Sequence, residues 1–177
     1  MRAKLRLFSG VLFDVLDPDP ALICIKDIAH SLSLQCRFNG HCLRYYSVAE
    51  HSVRVATLVP FSLFRTALLH DATEAYLSDL PTPIKDCMAL YMKAEERLQA
   101  VIAARFNLVH PIPQEVCWAD KATLRHEQLT IMVNAEADVP PLTPYDNQLS
   151  PLQCLSPTEA EAAFLRAYHS PASQLSS

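Results

Sequence analysis

Apolar residues recur along this chain mostly at helical spacing. Ile25, Ile28, Ala29 and Leu32 fall at i, i+3, i+4 and i+7, the stripe an amphipathic helix lays on a core. Residues 4–14 instead alternate weakly around Ser9-Gly10 and predict a small β-hairpin, followed by a turn at 16–20. The segment 36–46 has turn residues at its centre and reads as a loop. Ser47 then makes an N-cap, and Glu50 three residues on completes a capping box for a helix running to about residue 59. A further apolar helix is predicted from 62 to about 76, ending near the loop LSDLPTP. A long helix follows over about 89–106, with Leu90, Ala94, Leu98, Val101 and Ile102 inward. Pro113 opens the next, to about 133, and residues 158–169 form the last. Residues 138–157 are proline-rich and irregular, and the tail 170–177 is polar and frayed. No internal repeat interrupts this order. The pattern predicts an all-α helical bundle with a small N-terminal β-hairpin.

Composition narrows the function classes. A chain of 177 residues suits one domain, here 1–177 with its core at about 25–133. Hydrophobic residues are 50% and charged ones 19%, so the chain is globular. The two glycines, Gly10 and Gly40, exclude a P-loop or dinucleotide fingerprint, which needs several together. A net charge of −4 argues against a nucleic-acid polymer as partner and leaves a small anion open. The cysteines at 24, 36, 42, 87, 117 and 154 form no CxxC pair and read as reduced thiols. The first residues are too interrupted by charge for a signal peptide, and no apolar run is long enough to span a membrane. The expectation is a soluble, cytoplasmic protein.

Chemistry concentrates at His51, the adjacent pair His70-Asp71, and Asp120, each beside apolar residues on or at the end of a predicted helix. A buried carboxylate needs a compensating partner, and a divalent cation is a natural one. Imidazole and carboxylate together suit Mn²⁺, Co²⁺, Fe²⁺, Zn²⁺ or Ni²⁺. Successive residues on a helix point about 100° apart, so His70 and Asp71 could occupy adjacent corners of one polyhedron. His51 and Asp120, from two other helices, would complete a side. His41 with Cys36 and Cys42 lacks finger spacing and a fourth ligand, so it is not read as zinc.

The arrangement H…HD…D at 51, 70–71 and 120 resembles the HD-domain superfamily of metal-dependent phosphohydrolases. YSVAEHS (46–52), ALLHDATEA (67–75) and SDLPTPIK (78–85) are similar to its 5′-deoxynucleotidase branch and to related phage enzymes, over about residues 36–133. The resemblance implies an HD-domain helical bundle holding one divalent metal on His51, His70, Asp71 and Asp120, with a second, substrate-associated ion open. It implies catalytic roles for Glu74 and Asp79, and substrate contacts from Arg37 (phosphate), Phe38 (sugar) and Lys85 (phosphate). Phe38 stands where the deoxynucleotidases have tryptophan, which bears on sugar selectivity. Related enzymes form dimers or hexamers, so a homo-oligomer is implied as well.

Bland readings stand beside these. Asp79 would also serve as a helix N-cap before Pro81, Phe38 as plain packing, and Glu127 as a structural partner or an orienter of a ligand. The leading functional expectation is an enzyme releasing phosphate from deoxynucleoside monophosphates. The alternative is a deoxynucleoside triphosphohydrolase of the compact phage type, and a further class is an inactive metal-bearing nucleotide sensor.

Overall fold

The computed structural model describes residues 4–85, 87–137 and 139–171, with the side chains at 82 and 83 left aside. The expected polar tail therefore lies largely outside the described residues.

Strands β1 (Lys4–Arg6) and β2 (Leu12–Asp14) pair antiparallel, with Leu5 opposite Phe13. Gly10 closes the hairpin at φ +86, a conformation an L side chain resists. Phe13 is fully buried, and Ser9 donates from its N–H (2.7 Å) and hydroxyl (2.9 Å) to the Asp27 carboxylate. The hairpin is thus fastened to helix α1 (Ile25–Leu34), whose Ile28, Ala29 and Leu32 face the core as the stripe required.

Helix α2 (Val48–Leu58) runs through the middle, packed against α1, α3 (Phe64–Leu68), α7 (Gln114–Ile131) and α8 (Pro157–His169). Surrounded this way, it buries polar residues as well as apolar ones: Glu50, His51, Ser52 and Arg54 are all inside. Ser47 caps it by accepting from the Glu50 N–H at 3.1 Å. The other half of the expected capping box is absent. Glu50 instead turns to the 153–155 segment and accepts from the N–H groups of Gln153 (3.2 Å), Cys154 (3.0 Å) and Leu155 (2.8 Å). Three donors outcompete one. A complete capping box does form at α8, between Ser156 and Glu159.

The helix expected over 62–76 is interrupted. Short helices α3 and α4 (Glu74–Leu77) flank a turn at 69–73. There the His70 ring nitrogen Nδ1 takes the Ala67 carbonyl at 2.8 Å, and the Ala72, Glu74 and Tyr76 N–H groups bond three residues back. A side chain can take up a carbonyl that a helix end leaves without an intrahelical donor. The Asp79 loop, α5 (Thr82–Lys85) and α6 (Ala89–Phe106) follow. On α6, Leu98 and Ile102 are buried as expected, while Leu90 is 83% exposed because the first turns project past the core. The core joins Phe13, Ile28, Leu32, Val55, Phe64, Leu68, Leu98, Ile102 and Phe164 in one cluster. No helix among the described residues is long and apolar enough to cross a membrane.

Candidate metal centre

His51 projects from α2, His70 and Asp71 from the turn between α3 and α4, and Asp120 from α7. Their polar atoms converge. His51 Nε2 lies 3.2 Å from Asp120 Oδ1 and 3.6 Å from Asp71 Oδ2. His70 Nε2 lies 3.2 Å from Asp71 Oδ2 and 3.8 Å from Asp120 Oδ1. Both Nε2 atoms are buried and have no hydrogen-bond partner of acceptable geometry. Such orphaned atoms are costly unless something else engages them.

The far side of each ring explains the orientation. His51 Nδ1 donates to Glu127 Oε1 at 2.8 Å, and His70 Nδ1 donates to the Ala67 carbonyl. Each bond leaves the Nε2 lone pair directed inward, the tautomer a metal ligand requires. Burial by itself would drive the His70 imidazole down, but Asp71 and Asp120 overcome it and hold it well above its ordinary value. Asp120 is held well below the usual carboxylate range, against its burial, by His51 and His70. The cluster thus favours positive charge at its centre, as a proton or as a cation. Two imidazole nitrogens and two carboxylates are a donor set that fits a divalent ion, and His51, His70 and Asp120 alone could hold one. Among the described residues this is the only such group; Cys36, Cys42 and His41 form none.

Glu127 does more than orient His51. Its second oxygen accepts from Arg37 Nε at 3.0 Å, and all of these atoms are buried. Burial would raise the Glu127 carboxyl, yet Arg37 and His51 keep it ionised and lowered. Arg37 also approaches Asp71, with Nη1 3.9 Å from Oδ2. One helix face, carrying Asp120 and Glu127 two turns apart, therefore supplies both a candidate ligand and the support of another.

A cleft of about 420 Å³ opens in front of the cluster, lined by Arg37, Phe38, Asp71, Glu74, Asp79, Lys85 and Asp120 among others. It brings together every residue the sequence suggested except the two histidines. Glu74 is buried with Oε2 unpartnered, and burial, Asp71 and Asp79 push its carboxyl well above the usual range. Asp79 is also raised by burial, a shift that Arg37 opposes. Lys85 faces the cleft with its Nζ 2.6 Å from Glu95. A second cleft of about 660 Å³ shares Asp71, Glu74 and Lys85, is lined by His70 as well, and extends along α6 past Met92 and Lys93.

Gln35 is the functional-site residue that sequence reasoning missed. Its amide donates to the Glu74 carbonyl at 3.0 Å and accepts from the Asp79 N–H at 3.2 Å, setting the spacing between the two acids. A single glutamine at the end of a helix carries no signal of this.

Two relatives align over most of their length. The protein YfdR of Escherichia coli (strain K12), described as uncharacterized, is 42% identical over 126 residues, covering 70% of each chain. An uncharacterized protein of Rhodobacter capsulatus is 39% identical over 153 residues, covering 77% of this chain and 78% of its own. This chain belongs to their family. At such identity the relatives share its fold. No family model matches the sequence.

Proposed function

We propose that this protein is a metal-dependent phosphohydrolase of the HD superfamily, acting as a 5′-deoxynucleotidase on deoxynucleoside monophosphates. The observation that carries the reading is the pair of orphaned, inward-facing Nε2 atoms flanked by Asp71 and Asp120, with Glu74 buried and unpartnered in the cleft that Asp71 and Asp120 line. His51, His70, Asp71 and Asp120 would hold one divalent ion of the Mn, Co, Fe, Zn or Ni type. Bound there, the ion would supply charge for a phosphoryl oxygen and a lowered pKa for water.

The remaining work falls to side chains. Arg37, held rigid by Glu127, presents a fixed positive charge at the cleft wall, where charge develops on the phosphoryl oxygens. Glu74, buried in the cleft with Oε2 unpartnered, is the group placed to hand a proton to the departing ester oxygen. Asp79, with its backbone tied to Glu74 through Gln35, orients the attacking water. Water adds to phosphorus, the ester P–O bond breaks, and the alcohol leaves protonated.

Charge favours a monophosphate over a triphosphate. The cleft sets Arg37 and Lys85 against Asp71, Glu74, Asp79 and Asp120, and both cations already have carboxylate partners. A divalent ion brings this lining near neutrality, which suits one phosphate group better than three. The deoxyribose preference comes from the resemblance of Arg37-Phe38 to the deoxynucleotidase pair. The test is turnover of each dNMP, NMP, dNTP and NTP with Mn²⁺ or Co²⁺, with Asp71→Ala as control. Orthophosphate from dNMPs, lost in the variant, is the expected result. Tripolyphosphate from a dNTP would replace it with the triphosphohydrolase reading, and no metal-dependent turnover would overturn hydrolysis altogether.

A further inference from the structure

The turn that carries Arg37 and Phe38 is bracketed by two thiols in contact. Cys36 Sγ lies 3.6 Å from Cys42 Sγ, and both residues are partly exposed. The ends of the turn are anchored independently. Arg37 N–H donates to the Tyr46 carbonyl at 2.9 Å, and Leu43 N–H donates to the Ile131 carbonyl at 2.8 Å. Between the anchors, Phe38, Asn39 and Gly40 all have positive φ, so the chain doubles back and brings residues 36 and 42 together. A disulfide needs only ~1.5 Å of closure from this contact, within the reach of side-chain rotation.

We propose that Cys36 and Cys42 form a redox couple that takes a hydroperoxide and closes to a reversible disulfide. Neither thiol has a role in the centre described above. Cys42 is pushed up to about 11 by burial and by Cys36, and its sulfur already faces the Arg37 carbonyl, so it takes the resolving role and Cys36 the attack. The Cys36 thiolate attacks the peroxide oxygen, the O–O bond breaks, and the hydroxide or alkoxide released takes up a proton, leaving a sulfenic acid. The Cys42 sulfur, losing its proton, then displaces hydroxide from the Cys36 sulfur, and the hydroxide takes that proton to leave as water. Two electrons pass to the peroxide, and the Cys36–Cys42 bond forms. Closure removes the thiol that faces the Arg37 carbonyl at 3.9 Å and clamps the turn bearing Arg37 and Phe38. Resting on the hydrolase reading, oxidation then raises KM for a dNMP several-fold, reversibly by dithiothreitol.

The experiment reads the bond itself and needs no turnover, so failure of the couple and failure of the hydrolase reading stay distinct. The full chain is treated with hydrogen peroxide, alkylated and digested with trypsin, which cuts after Arg37. A cross-linked pair of peptides 27–37 and 38–44, dissolved by dithiothreitol, is the expected product. Cys42→Ser should lose that pair and leave a Cys36 sulfenic acid that dimedone traps. Cys36→Ser should give neither product. A Cys42–Cys154 link, or peroxide uptake at exposed Cys87 while Cys36 and Cys42 stay reduced, would overturn the proposal.

Discussion

Behind the four converging side chains, Glu127 decides whether they can act together. It has no exposure, and it satisfies His51 Nδ1 and Arg37 Nε with its two oxygens. A carboxylate behind a metal-ligand histidine raises the ring's basicity and fixes its direction. Glu127→Gln is therefore expected to weaken Mn²⁺ or Co²⁺ binding by ~10–100-fold, read by titration calorimetry, while circular dichroism stays unchanged. Unaltered affinity would mean that Glu127 serves packing alone. His51, His70, Asp71 and Asp120 were singled out in the sequence by the H…HD…D pattern, and folding brings their polar atoms together. Glu127 was legible as a helix-face neighbour of Asp120, but which ring it serves depends on α2 lying against α7. Gln35 was not legible, since an amide acquires its role only from the backbone groups that folding brings to it.

At the scale of elements, α2 shows how tertiary contact overrides local rules. A capping box between Ser47 and Glu50 is the favoured local solution for the first turn. Here the segment 153–155 passes close by with three unpaired N–H groups, and Glu50 turns to them instead. This gives the two residues different weights. Ser47→Ala should cost about 1 kcal/mol in urea denaturation, the usual value of a cap. Glu50→Ala leaves three part-buried donors without their carboxylate and should cost about 2 kcal/mol; a loss no larger than that of Ser47→Ala would show the 153–155 strap to be loosely held. The Ser156–Glu159 box at α8 is local and adds a pH signature. Bonds from the Ser156 hydroxyl and N–H hold the Glu159 carboxyl below its ordinary value. The stability it contributes is complete above about pH 4.5, the unfolded value, and is lost as pH falls through the folded one. Glu159→Gln should flatten the stability profile in that acid window, measured from urea midpoints. The break at 69–73 belongs to this scale too: the residues have helical character, yet the backbone there turns with bonds three residues back, and the His70 ring bonds the Ala67 carbonyl.

For the whole molecule, the centre ties together α2, the α3–α4 turn and α7, elements far apart in the chain. An ion bound only in the folded state stabilises all of them at once, by ~4 kcal/mol at a thousandfold excess over Kd. For a chain of this size that is a rise in Tm of about 10 °C. Chelator should reverse the rise, and Asp71→Ala should not show it; a Tm insensitive to Mn²⁺ and Co²⁺ would count against a metal centre here. The sequence by itself determined the helical class, the hairpin, most element boundaries and the residues with ligand chemistry. These depend on periodicity, capping and side-chain type, which are properties of neighbours along the chain. Tertiary structure alone decided where Glu50 bonds and which carboxylate stands behind His51. The reason is physical: a buried polar group must find a partner, and which partners are within reach is set by the packing of helices that are distant in sequence.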